Sequence, residues 1–211
     1  MFAKSTARWP APSITVLDDI YKDPQGVYEW AKSQEFFEPE PGYGWRSRKS
    51  KIFAGLRSRL QKHFGAKVSF LEPDGHCASG TAYLGFSKGK RKEQPFVHWD
   101  EPENAYLAMV YITPNIKPEY GTAFWTHKAT RLDRAPVRDD EKRLGMSCEA
   151  ILARFNADGT NRSKWTETAC VGYRWNRALV FPAYLLHSAK SHYGGTKKNG
   201  RIHLLHLFRL S

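Results

Sequence analysis

Residues 199–210 read "NGRIHLLHLFRL". Asn199-Gly200 is a turn signal, and an alternating strand starts at Arg201. In an extended strand Arg201, His203, Leu205 and Leu207 share one face, while Ile202, Leu204, His206 and Phe208 share the other. If the first face looks into a barrel, Arg201 is a buried cation and needs an anion. Arginine suits that task, because its guanidinium can grip a carboxylate through two parallel hydrogen bonds.

Upstream the chain has the same texture. "KVSFLEP", "TAYLGFS", "QPFVHW", "AYLAMVYIT", "GTAFWTH", "ACVGYRW" and "RALVFPA" are short and rich in β-branched and aromatic residues. Gly, Pro, Asn and charged clusters separate most of them, as in an antiparallel sandwich or barrel. Residues 131–165 interrupt the run. They are polar, contain a short predicted helix at "CEAILARF", and read as an insertion between strands that covers a pocket.

The N-terminal part differs. "SITVLDDIY" reads as a strand leading to a turn, and Asp23-Pro24 as a helix N-cap followed by proline at the first helical position. Val27, Trp30 and Ala31 share one face of that helix. A second helix is expected over about residues 51–64, where Phe53, Leu56, Leu60 and Phe64 recur at helical spacing and Gly65 supplies the stop. The expected fold is α+β and mainly β. It is a single domain over 1–211, with an N-terminal strand and supporting helices in about 1–66 and a β-barrel core in about 67–211.

The 211 residues are enough to bury a substantial core, and a hydrophobic content of 41% excludes a disordered chain. The longest apolar runs fall short of the roughly 18 residues of a membrane span. The opening residues contain no apolar segment of the secretory kind. Cys77, Cys148 and Cys170 are odd in number and form no Cys-x-x-Cys pair, which points to reduced thiols in a cytoplasmic protein. The net charge of +12 is concentrated at residues 46–51 ("RSRKSK") and 88–92 ("KGKRK"). Such clusters are either solvated loops or a polyanion-binding surface, so a nucleic-acid partner stays open. There is no helix-turn-helix, zinc-finger or RNP pattern, and the sequence assigns no oligomeric state.

"PFVHWDEP" holds the only His-x-Asp triplet, His98 and Asp100. On a strand these two side chains point to one face. A mononuclear iron(II) site needs two imidazoles and one carboxylate on one octahedral face, with open positions for a co-substrate and dioxygen. The third ligand must come from elsewhere in the barrel. "NRALVFPAYLLHSA" supplies His187, five residues after the proline that ends a buried strand. His192, nearer Arg201, competes for the same role.

The order His-x-Asp, distal His and Gly-Arg resembles the Fe(II)/2-oxoglutarate-dependent oxygenases, closest to their prolyl-hydroxylase-like, double-stranded β-helix branch. The resemblance covers about residues 67–210: "HWDEPENAYLAMVYITPN" is similar to the family's second and third barrel strands. "YGTAFW" is similar to its Gly-Gly-x-Thr-x-Phe strand, and "RALVFPAYLLH" and "NGRIHLLHLF" to its last two segments. The resemblance implies that His98, Asp100 and His187 bind Fe(II). Arg201 would hold the far carboxylate of 2-oxoglutarate, with contacts from Tyr111 and from His203 where relatives carry an Arg-x-Ser serine. It also implies consumption of O2 and hydroxylation of a C–H bond on a small-molecule, amino-acid-like or peptidyl substrate, with succinate as co-product. Asp100 distinguishes the chain from related halogenases, which carry a small residue at that place. Trp99, between two ligands, is the tryptophan expected to line the pocket, and His127 is a candidate for its rim; His206 faces the other way as a structural residue. The same chemistry on a nucleic-acid base, a cupin-type metal barrel and a basic non-enzymatic binding module are the other readings. The cupin reading lacks its usual His-x-His pair, and the binding module leaves the four site residues unexplained.

Overall fold

A computed structural model describes residues 13–39, 44–71, 79–85, 95–100 and 105–211. The elements are β1 (Thr15–Leu17), α1 (Pro24–Lys32), β2 (Phe36–Phe37), β3 (Trp45–Ser50), α2 (Leu56–Phe64), β4 (Val68–Phe70), β5 (Thr81–Gly85) and β6 (Tyr106–Tyr111). They continue with β7 (Thr122–His127), α3 (Arg138–Leu144), α4 (Cys148–Asp158), β8 (Trp165–Val171), β9 (Arg177–Pro182), β10 (His187–Ala189) and β11 (Arg201–Leu210). Two antiparallel sheets face each other. The larger runs β1-β9-β6-β11-β5-β3-β2, with β4 also paired to β11; the smaller runs β10-β7-β8.

Alternation along the strands sorts the core into layers. On the larger sheet Ala108, Val110, Ala178, Val180, Ile202, Leu204 and Phe208 point outward and pack against Val27 and Ala31 of α1 and Leu56 and Leu60 of α2. The intervening residues Leu107, Met109, Tyr111, Leu179, Phe181 and Leu207 point inward and meet Phe124 of β7. Behind the smaller sheet, Ala123 and Trp125 pack on Ile151 and Phe155 of α4. The molecule is therefore helices, sheet, sheet, helix, and its inner layer is the interior of a double-stranded β-helix. A fully buried side chain such as Phe208 stabilises this arrangement by about 2–3 kcal/mol.

Local chemistry sets the element ends. Asp23 caps α1 by accepting from the Gly26 N–H at 2.9 Å, with Pro24 in the first turn. Gly65 ends α2 in the left-handed region at φ 64°. That helix starts at Leu56, later than its apolar spacing suggests. Ser50 still belongs to β3, the Lys51 N–H donates to Gly80 O at 3.1 Å, and Gly55 turns the chain at φ 100°. Gly121 opens β7 so close to β8 that a Cβ there would sit 1.9 Å from Val171 O.

Three readings change. Residues 46–51 are not a basic loop: most of them form β3, paired with both β5 and β2, and only Arg48, Lys49 and Ser50 of that strand are exposed. Basic side chains near a sheet edge also discourage edge-to-edge association. Of "QPFVHW", residues 95–99 make an isolated bridge, His98 to His187, instead of a strand. Between β7 and β8 lie two helices, α3 and α4, where one was expected. The basic cluster at 88–92, His76 and Cys77 lie outside the described residues. Among the described residues no helix is long and apolar enough to cross a membrane.

One ion-pair cluster ties the N-terminal strand to the barrel. Asp18, just after β1, accepts from Arg177 Nε at 2.7 Å and from Arg174 at 2.7 Å. The hydrogen bond from Arg177 leads the effects that hold the Asp18 carboxyl below its ordinary pKa, against a smaller effect of burial. A depressed folded-state pKa contributes stability above the unfolded value and loses it as pH falls through the folded one. Asp18→Asn should cost about 1 kcal/mol near neutrality. Urea melts of both proteins should converge as pH falls through the folded-state pKa of Asp18.

Candidate metal centre and co-substrate pocket

The bridge between His98 and His187 builds the site. His98 N–H donates to His187 O at 2.9 Å and His187 N–H to His98 O at 2.8 Å, so the two residues lie directly opposite each other. Side chains at opposed positions emerge on one face, and the rings approach to 4.5 Å between centroids. Asp100 lies two residues on, held by its N–H to Ala183 O at 2.8 Å. Each of His98, Asp100 and His187 offers a ligand atom, and all three atoms lie within 4.8 Å of one another. His192 is not in this group.

The protonation pattern follows from the partners. His98 Nδ1 lies 3.0 Å from Phe96 O and His187 Nδ1 2.8 Å from Leu185 O. A carbonyl only accepts, so each Nδ1 carries the proton and each Nε2 keeps a bare lone pair. His187 Nε2 faces Asp100 Oδ2 at 3.3 Å, yet both atoms are buried without a hydrogen bond. Leaving such atoms unsatisfied costs about 1–3 kcal/mol each. Three electron-pair donors turned toward one point, with no proton between them, are the arrangement a cation completes. Burial, followed by repulsion from His187, lowers the His98 pKa and favours the neutral imidazole a metal requires. Burial opposes ionisation of Asp100, but His187, His98 and Arg46 outweigh it and hold its carboxyl below the usual range.

Arg201 opens β11 on the inner face and is 6% exposed. Its guanidinium donates to the carbonyls of Tyr120 and Gly121, and among the described residues no carboxylate pairs with it. Burial lowers its pKa, opposed by the nearby Tyr111 and Tyr173. Tyr111 is fully buried, stacks on Tyr173 at 4.5 Å, and donates its hydroxyl to Thr122 Oγ1 at 2.7 Å. His203 lies two residues beyond Arg201, on the same face. It stacks on Tyr83 at 5.7 Å, and among the described residues its buried Nδ1 has no hydrogen-bond partner. Burial, then the Arg201 charge, pushes its pKa well down, which favours the neutral ring.

Other sequence candidates take structural places. Trp99 packs edge-on against Phe155 of α4 and also against the inner cluster that includes Met109 and Phe181. His127 is fully buried, with ring nitrogens 3.0 Å from Thr130 Oγ1 and 3.1 Å from Asp158, so it ties β7 to α4 and not to a pocket rim. His206 points outward to Tyr21 at 3.4 Å, and burial pushes its pKa down to about 3.

The structure adds Arg162, which sequence reasoning passed over. From the segment before β8 it donates to Pro95 O, to Ser188 Oγ at 3.3 Å and to Gly159 O at 3.3 Å, and lies 4.6 Å over the Trp125 ring. Val97 N–H also donates to Gly159 O at 2.9 Å. The segment after α4 thereby clamps the chain leading into His98 against the neighbour of His187. No local pattern marks such a residue, because its contacts with Pro95, Trp125 and Ser188 are long-range.

A family model described as "Family of unknown function (DUF6445)" matches residues 6–202. No curated protein matches the chain in sequence. Among solved structures, AviO1 from Streptomyces viridochromogenes Tue57 is similar with a TM-score of 0.51 at 11% identity, over 94% of this chain and 90% of that one. HygX from Streptomyces hygroscopicus, solved with nickel, 2-oxoglutarate and hygromycin B bound, is similar with a TM-score of 0.50 at 10% identity, over 94% of this chain and 83% of that one. At these identities the likeness bears on the fold, a double-stranded β-helix.

Proposed function

The chain belongs to the DUF6445 family, and we propose that it is an Fe(II)/2-oxoglutarate-dependent dioxygenase that hydroxylates a C–H bond of a small amino-acid-like or peptidyl substrate. The observation that carries this reading is the pairing of two incomplete sites in one barrel interior. His98, Asp100 and His187 present three lone-pair atoms and no proton, while Arg201 is a buried cation that no carboxylate among the described residues pairs with. A divalent metal completes the first, and a dicarboxylate bridging metal and guanidinium completes the second. When bound, iron(II) with 2-oxoglutarate supplies the oxidation: dioxygen is consumed, succinate and carbon dioxide leave, and one oxygen atom enters a C–H bond.

The protein's own part is placement. His98 and His187 are fixed in the ligating tautomer by Phe96 O and Leu185 O. Asp100 stays ionised and supplies the negative ligand. Arg201 fixes the far end of the co-substrate, with Tyr111 and the neutral His203 lining the space between. Phe181, edge-on to the His187 ring at 4.7 Å, and Phe124 keep water from that side. The motif order supports the prolyl-hydroxylase-like branch, and a carboxylate at position 100 supports hydroxylation.

Anaerobic binding tests the reading. The protein should take up one iron(II) per chain and then one 2-oxoglutarate, whose binding requires the metal. A chain that binds neither is not an oxygenase. Arg162→Ala should loosen the His98 segment and weaken iron(II) binding by about tenfold, the scale on which outer-shell partners act. Affinity equal to wild type would confine Arg162 to packing.

A further inference from the structure

Residues 41–71 contain eight Lys and Arg and no Asp or Glu. Seven of the eight, all but Arg46, are exposed. Among the described residues only Arg48 of these seven forms an ion pair, with Glu35. Helix α2 gathers three of them. Leu56 and Leu60 are fully buried against the larger sheet, so the helical repeat puts Lys62 on the opposite side, with Arg57 and Arg59 on the two flanks. Arg57 lies 5.1 Å over the Phe70 ring of β4, and Arg59 donates to Asp18 O at 2.8 Å. Lys51, before the helix, lies 4.8 Å over Phe53. Contacts of this kind brace a long side chain and leave N–H donors for a ligand. Stability does not call for the arrangement. Arg57 and Arg59 fall in the first turn of α2, which holds no acidic residue, and there the helix dipole favours anions. α3 shows the favourable pattern: Asp139, Asp140 and Glu141 stand in its first turn, Lys142 and Arg143 in its last.

We propose that the exposed face of α2, with Lys51 just before it and Lys67 just after it, binds the phosphate backbone of a nucleic acid. Charge complementarity carries the proposal, and the apolar groups select the partner. An anionic membrane takes up a helix whose apolar face turns to lipid. The apolar face of α2 is buried inside the protein. An acidic protein would need an apolar centre within the charged rim. Among the described residues of this stretch, Ile52 is the one exposed large hydrophobic, at 37%. Nucleic-acid interfaces are more polar and far more positive than protein ones. A phosphate backbone offers anions in a row, which suits cations spread along a helix and its two ends. Contacts to phosphate position a partner without reading its bases, so this binding is not sequence-selective. None of these residues belongs to the three-residue ligand group, and the binding does not require the metal.

The test uses full-length protein and dye-labelled RNA and DNA of mixed sequence, single-stranded and duplex, with fluorescence anisotropy read over a series of KCl concentrations. At least one form should bind, with an affinity that falls linearly with salt on logarithmic axes, and the form that binds best identifies the partner as strand or duplex. Arg57→Gln, Arg59→Gln and Lys62→Gln combined should flatten that slope by about 2–3, because each phosphate contact contributes about 0.7 on a single strand and about 0.9 on B-DNA. Arg138→Gln, Lys142→Gln and Arg154→Gln combined remove the same charge from exposed positions on α3 and α4 and should leave the slope unchanged. Melting midpoints check the fold of both variants. Lys62→Glu serves where the first triple variant melts early. Lys62 is exposed and has no partner among the described residues, so this variant should fold as the wild type does and still weaken binding. No binding of any oligonucleotide at low salt, a slope unchanged in the α2 variant, equal flattening in the α3–α4 variant, or full affinity in Lys62→Glu would overturn the proposal. Binding of phosphatidylserine vesicles or polyglutamate by a protein that ignores every oligonucleotide would overturn it too, and would give this surface to a membrane or an acidic protein.

Discussion

Asp100→Ala should reduce iron(II)-dependent succinate formation by at least about a hundredfold, more than the loss of an outer-shell partner produces. The argument is electrostatic. Asp100 is the only carboxylate in the three-residue group, and its Oδ2 faces a histidine lone pair at 3.3 Å. Without it, two neutral imidazoles remain to hold a divalent cation. Asp100→Asn sharpens the test, because an amide N–H in the same place can donate to His187 Nε2. That variant should fold at least as well as wild type in the absence of metal and still fail to take up iron. Metal content after dialysis and thermal melts of metal-free protein check both statements. Turnover near the wild-type level in either variant would remove Asp100 from the site.

Arg201→Ala should raise the half-saturating concentration of 2-oxoglutarate by at least about thirtyfold, since breaking a buried charged pair costs about 2–5 kcal/mol. Iron(II) affinity should stay within about twofold, because Arg201 is not one of the three ligands. Arg201→Lys should fall between, as it keeps the charge and loses the fork. Calorimetric titration of 2-oxoglutarate into metal-loaded protein measures this. An unchanged requirement would mean that the guanidinium serves only the carbonyls of Tyr120 and Gly121.

How far these residues could be read from sequence depended on how local their signals are. The alternation of residues 201–210 was legible because both faces of β11 are buried, and it placed Arg201 and His203 inward and His206 outward, as the structure has them. His98 and Asp100 could be paired because a two-residue spacing keeps one face. His187 followed from its distance to a buried strand. β3 was missed because half of it is exposed and basic, so composition hid the strand. β10 is only three residues long, too short for a pattern. Arg162 and Tyr83 act through partners distant in sequence, which no local spacing encodes. Trp99, between two ligands in sequence, packs on the inner cluster as well as on Phe155 of α4.

The most direct measurement is succinate formation by purified protein given iron(II), 2-oxoglutarate and air, beside Asp100→Asn under the same conditions. The account predicts succinate and matching oxygen uptake from the wild type, without an added substrate because such sites turn over slowly when uncoupled, and none above background from the variant. No succinate from a wild-type protein shown to be folded and iron-loaded, or equal succinate from both, would contradict it.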